Sequence, residues 1–109
     1  MEKFGIEASR SNGTAVVAVR GEVDLYTAPQ VWETIDKAIA GAPEELVIDL
    51  SDVTFLDSSG LSVLVRAHKR LRPVQRTVVV RGANDQVYMA LEMTRLTKVL
   101  SVEAAAPTN

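Results

Sequence analysis

From Lys3 to Ser9 the chain alternates, with Phe4, Ile6 and Ala8 on one side and Glu7 and Ser9 on the other. A period of two predicts a half-buried strand, suited to a sheet edge. Asn12-Gly13 comes next, supplying the backbone freedom of a tight hairpin. Thr14 to Arg20 is apolar almost throughout, the pattern of an interior strand. These first two strands are expected to pair antiparallel.

The period then changes. After Gly21-Glu22-Val23-Asp24-Leu25-Tyr26, the run Thr27-Ala28-Pro29-Gln30 has the form of a capping box, with Pro29 tolerated in a first turn. Ala28, Val31, Trp32, Ile35, Ala38 and Ile39 recur at helical spacing as one apolar stripe, closed by Gly41 and Pro43. Leu46–Leu50 predicts a third strand, and Ser51–Asp57 its connection to a second helix with Leu61, Leu64, Val65, His68 and Leu71 facing inward. Pro73 ends that pattern. Thr77–Arg81 predicts a fourth strand. Asn84 would cap a third helix that buries Val87, Ala90, Leu91 and Thr94. Val99–Val102 would be a short last strand, and residues 103–109 a frayed tail.

The order is β-β-α-β-α-β-α-β, an α/β domain spanning 1–109 with about 4–102 ordered. Strands joined through helices should run parallel with right-handed crossovers. If neighbours in sequence are neighbours in the sheet, every helix lies on the same face. The expected fold is therefore a mixed sheet with an N-terminal antiparallel hairpin and helices mainly on one side. Val17, Val19, Val47 and Val79 suggest that both faces are apolar, which leaves the cover of the second face open.

Composition narrows the function. A chain of 109 residues with 47% hydrophobic and 24% charged residues fits one ordinary core. The absence of cysteine excludes disulfides and thiolate metal sites and suits a reducing, cytoplasmic setting. Residues 1–20 have neither the pattern of a signal peptide nor a long apolar run, so no membrane partner is expected. A net charge of −2 lacks the basic bias of direct nucleic-acid binding.

Parallel strands end in one direction, where partners of open α/β sheets usually meet them. That end should gather Asp24, the Asp57-Ser58-Ser59-Gly60 run and the turn at Gly82–Asn84. Aspartate and serine at a helix start can be a cap and nothing more. A serine there can also be modified, since a phosphate adds about two negative charges in a small volume. The residues alone leave both readings open.

Other chemistries fit less well. A serine nucleophile needs a base within hydrogen-bond reach. The sole histidine, His68, lies ten positions from Ser58, roughly 15 Å along a shared helix. No Gly-x-Ser-x-Gly elbow is present. Of Asp24, Asp49, Asp52 and Asp57, Asp49 sits inside a strand and Asp52 in a loop, so convergence on magnesium is not implied. Arg66, Lys69, Arg70, Arg72 and Arg76 flank a helix C-terminus, where they complement its dipole. No cofactor is expected.

Gly21-Glu22-Val23-Asp24 and the run from Ile48 to Leu61 (Ile-Asp-Leu-Ser-Asp-Val-Thr-Phe-Leu-Asp-Ser-Ser-Gly-Leu) resemble the STAS domain, in particular bacterial anti-sigma factor antagonists. The likeness extends from about Phe4 to Val102 in the same element order. It implies a non-enzymatic switch in partner exchange and sigma factor regulation. The serine after the aspartate, Ser58, would be phosphorylated by an anti-sigma factor serine kinase. A PP2C-type phosphatase would reverse it. The unmodified form would bind the anti-sigma factor and free the sigma factor. By the same resemblance Asp24 would help contact the kinase, and Asp57, Ser58, Ser59 and Gly60 would form the rest of the contact. Two departures stand out: an alanine-rich end where many relatives have a longer helix, and Leu71–Gln75 in place of a glycine-containing turn. Within the same domain class, a subunit of a stress-signalling scaffold or lipid-transport complex is the alternative.

Overall fold

A computed structural model describes residues 3–105. β1 (Gly5–Ser11) turns into β2 (Thr14–Val23) through Asn12 and Gly13, whose φ angles of 50° and 84° are both positive. That backbone twist matches the flanking strands, which pair antiparallel from Gly5↔Arg20 to Ser11↔Thr14. β3 (Glu45–Leu56), β4 (Thr77–Ala83) and β5 (Ser101–Ala104) are added in parallel, giving the order β1-β2-β3-β4-β5. The crossovers carry α1 (Ala28–Ala40), α2 (Ser58–Leu71) and α3 (Asp85–Met93).

All three helices share one core. Leu46, Ile48 and Leu50 of β3 pack with Val31 and Ile35 of α1, Val63, Leu64 and Ala67 of α2, and Val87 and Leu91 of α3. A sheet that steps in one direction with right-handed crossovers requires this single helical layer. Val17 and Val19 face it as well. The second face is apolar only along a narrow row, where Val16, Val47 and Val79 are register partners. The adjacent row reads Glu7, Ala18, Asp49, Arg81 and Glu103, with Arg81 Nε 3.5 Å from a Glu103 carboxylate oxygen. One strip of valines, shielded by neighbouring strands and flanked by charge, thus faces away from the helices.

Several expectations need correction. Ser51–Leu56 is strand rather than connection, because β2 also continues to Val23 and supplies pairing partners up to Val23↔Leu56. The capping box at Thr27 does not form: its hydroxyl donates to Glu22 O and accepts from Asp24 N instead. On α2 the buried stripe is Gly60, Val63, Leu64, Ala67 and Leu71, turned away from Val65 and His68. Thr94 is exposed and bonds back to Ala90 O and Leu91 O. β5 lies two residues later than expected, leaving Val99 exposed and taking up Glu103 and Ala104. Ala105 N donates to Ala83 O; the rest of the expected tail, 106–109, lies outside the described residues.

Candidate functional site

The C-terminal ends of β2 and β3 position the site. Val23 and Leu56 are partners, so Asp24 and Asp57 leave adjacent strands at one level, about 4.8 Å apart across the sheet. Asp57 N donates to Val23 O at 3.1 Å and locks the two ends together. The β4–α3 turn joins them: Asn84 Nδ2 donates to Val53 O at 3.0 Å, while Asn84 Oδ1 accepts from Val87 N and caps α3. The three loops expected to gather here do so.

Asp57 has extended backbone, and its carboxylate accepts from Ser59 N at 2.8 Å and Gly60 N at 3.3 Å. This satisfies two of the free amides at the start of α2. Helical geometry then sets three serines in different surroundings. Ser58 is exposed at the first helical position, with no hydrogen bond from its hydroxyl among the described residues. Ser59 is half-buried. Ser62 donates its hydroxyl to Ser58 O at 2.9 Å. Gly60 is buried, and a Cβ there would come within 2.7 Å of Leu56 Cγ and 3.0 Å of Val23 Cγ1. Its missing side chain lets α2 begin directly above the ends of β2 and β3.

Asp24 is half-buried and ties up its own loop. Its Oδ1 accepts from Tyr26 N at 2.9 Å and Thr27 N at 3.1 Å, with the Thr27 hydroxyl at 3.3 Å. Leu25 and Tyr26 are consequently turned outward, 68% and 84% exposed. Leu25 borders an open groove of ≈350 Å3 between α1 and α2, together with Pro29, Trp32, Ser59, Val63 and Arg66. The Arg66 guanidinium lies 4.0 Å from the Trp32 ring centre, and that of Arg70 lies 5.9 Å away. Arg70 also pairs with Asp36 at 2.7 Å.

The sequence pattern puts Trp32 in the core stripe and Arg66 among the cations that complement a helix C-terminus, and it singles out neither Leu25 nor Tyr26. An available signal was the apolar pair Leu25-Tyr26 just beyond a strand end, where polar turn residues are usual. A larger groove of ≈490 Å3 lies at the far end of the molecule, by Ala8, Arg10, Lys37 and Gly41. It is remote from the gathered loops, so volume alone does not locate the site. Among the described residues no three His, Asp or Glu side chains converge as a metal site, and no helix is long and apolar enough to cross a membrane. His68 is half-buried on α2, ten positions beyond Ser58 or roughly 15 Å along the axis.

The family model for the STAS domain matches residues 5–107. The chain is 44% identical over 83 residues to the anti-sigma-F factor antagonist RsfB of Mycobacterium tuberculosis, covering 75% of this chain and 68% of that one. It is 37% identical over 87 residues to the anti-sigma-B factor antagonist of Listeria monocytogenes, covering 80% and 76%. The crystal structure of an anti-sigma factor antagonist from Mycobacterium paratuberculosis superimposes with a TM-score of 0.81 at 34% identity, over 97% of this chain and 87% of that one. The shared architecture and these identities have one consequence: the chain belongs to the STAS domain family, among the bacterial anti-sigma factor antagonists.

Proposed function

We propose that this protein is an anti-sigma factor antagonist switched at Ser58. The unmodified form binds an anti-sigma factor that is also a serine kinase, and so frees the sigma factor. Phosphorylation of Ser58 abolishes binding, and a PP2C-type phosphatase restores it. Asp24, Asp57 and Ser59 belong to the same contact, and Gly60 sets its geometry.

The observation that carries this reading is the exposed, unengaged hydroxyl of Ser58 at the first position of α2. A kinase must bring the nucleophilic hydroxyl in line with a phosphoryl donor. Ser62 would first have to give up a hydrogen bond, and Ser59 is partly covered. The helix N-terminus tolerates an added phosphate in the free protein. In a closed interface the same phosphate stands beside Asp57 and Asp24, where like charges repel. The modification therefore opposes association without opposing the fold.

The test is phosphorylation with ATP and the purified anti-sigma factors of the same organism. One phosphate is expected, on Ser58, and none in Ser58→Ala. Phosphate mapped to Ser59 alone overturns the assignment.

A further inference from the structure

We infer that the groove between α1 and α2 is a second half of the docking surface, taking an apolar side chain of the anti-sigma factor with an acidic residue beside it. This rests on the function proposed above and adds to it a contact outside the phosphorylation loop. Ser59 is the hinge between the two halves, since it adjoins Ser58 and also lines the groove.

The surface has opposite ends. The Ser58 end carries the carboxylates of Asp24 and Asp57, whose oxygens hold backbone amides. At the other end stands Arg66, eight residues along α2 from Ser58, or about 12 Å. Between them lie Leu25, Pro29, Trp32 and Val63. Leu25 is 68% exposed, an apolar side chain held out by the Asp24 turn rather than by disorder of the loop. The three salt bridges among the described residues leave out Arg66, whereas its neighbour Arg70 is paired with Asp36. Stacking on Trp32 fixes the Arg66 guanidinium at the rim and leaves its N–H edge for an acceptor.

Charge complementarity selects the occupant. A segment that fills the groove with an apolar side chain and offers Arg66 a carboxylate satisfies both parts of this half of the surface. The Arg66 contact is distant from the phosphate, so it contributes affinity and partner choice while Ser58 contributes the switch.

The experiment titrates the purified anti-sigma factor with wild type, Ser58→Asp, Arg66→Glu, Arg66→Lys and Leu25→Ser, with a thermal melt of each. Arg66→Glu is expected to weaken binding about tenfold or more, because it sets like charges together. Leu25→Ser is expected to weaken it about tenfold through lost apolar burial. Arg66→Lys keeps the charge but not the stacked planar fork, so it should weaken binding less than Arg66→Glu, and neither Arg66→Glu nor Leu25→Ser should lose phosphorylation of Ser58 at saturating kinase. Leu25 lies outside the core, so its variant keeps the test valid if Arg66→Glu melts early. Binding of Arg66→Glu and Leu25→Ser within twofold of wild type overturns the groove while leaving the switch at Ser58 intact. Self-association of the wild type that these variants abolish, with unchanged anti-sigma factor binding, assigns the groove to a second copy and also overturns it. Wild type that binds no anti-sigma factor removes the functional reading itself.

Discussion

Asp24 and Asp57 leave paired strands at the same level, yet they build unlike structures. Asp57 alone connects β3 to α2; its carboxylate caps the helix and fixes Ser58 at the first position. Asp24 leads into a three-residue loop, two of whose amides it holds, and that loop turns Leu25 and Tyr26 outward. The residues next in the chain make the difference. Gly60 permits close approach to Leu56 and Val23, so a helix starts at once. Leu25, Tyr26 and Thr27 carry side chains, and α1 begins only at Ala28. One loop presents a hydroxyl on a rigid helix start. The other presents apolar surface beside it.

The sharpest division between these roles comes from Ser58→Asp. Its charge falls beside Asp57 and Asp24 in any closed complex, where like-charge contact costs up to several kcal/mol. The free protein should change by no more than about 0.5 kcal/mol, since the site is exposed and a helix N-terminus favours an anion. A binding isotherm and a thermal melt together check both. Affinity equal to wild type would reduce the Asp57 loop to a cap.

Gly60→Ala tests why the Asp57 loop is so short. In an exposed helix interior, alanine for glycine gains about 1 kcal/mol. Here the added methyl meets Leu56 Cγ at 2.7 Å, and Leu56 is itself buried. Overpacking costs about 1–3 kcal/mol. The net expectation is lower stability by urea titration, together with weaker partner binding as α2 shifts. A more stable variant would show that the approach of α2 to the strands is slack.

Next in size is loss of each carboxylate. Asp57→Ala should cost about 1 kcal/mol, as N-cap removals do. Asp24→Ala removes acceptors from Tyr26 N and Thr27 N, the first of them exposed and able to bond water. Its loss should be smaller than that of Asp57→Ala. Amide exchange distinguishes them: Ser59 and Gly60 should lose protection in one variant, Tyr26 and Thr27 in the other. Equal protection at all four amides would contradict the division of labour.

Much of this was legible because it depends on local rules. The Asn12-Gly13 turn, the cap at Asn84 and the almost wholly apolar second strand each arise from the residue types at those positions. The order of the sheet agrees with crossover handedness. The sequence pattern misleads where a tertiary partner decides. Ser51-Asp52 reads as a turn, but β2 continues past Gly21 and holds the segment as strand, with register shifts on the way. On α2, two apolar stripes overlap at helical spacing, and packing against α1 and the sheet selects Val63 and Ala67 over Val65 and His68. At the site, the Asp57-Ser58-Ser59-Gly60 run was visible as a motif. The groove was not, because Trp32 and Arg66 meet only when two helices do.

The smallest effect separates charge from shape. Asn and Asp cap helices about equally well, so Asp57→Asn retains an acceptor for Ser59 N and Gly60 N. It forfeits the favourable charge at a helix N-terminus, worth about 0.3–1 kcal/mol. Asp24→Asn likewise keeps an oxygen for Tyr26 N and Thr27 N. Asp24 precedes α1 by several residues, so its loss should fall below that of Asp57→Asn. If the partner reads shape alone, both variants bind as wild type. If it brings a cation to this end of the surface, both bind more weakly at low salt and the gap narrows as salt rises, because screening weakens that attraction. Isotherms at two salt concentrations decide between these outcomes. A salt-independent loss in either variant would place the effect in the loop's geometry, and the two aspartates would then differ only in which amides they hold.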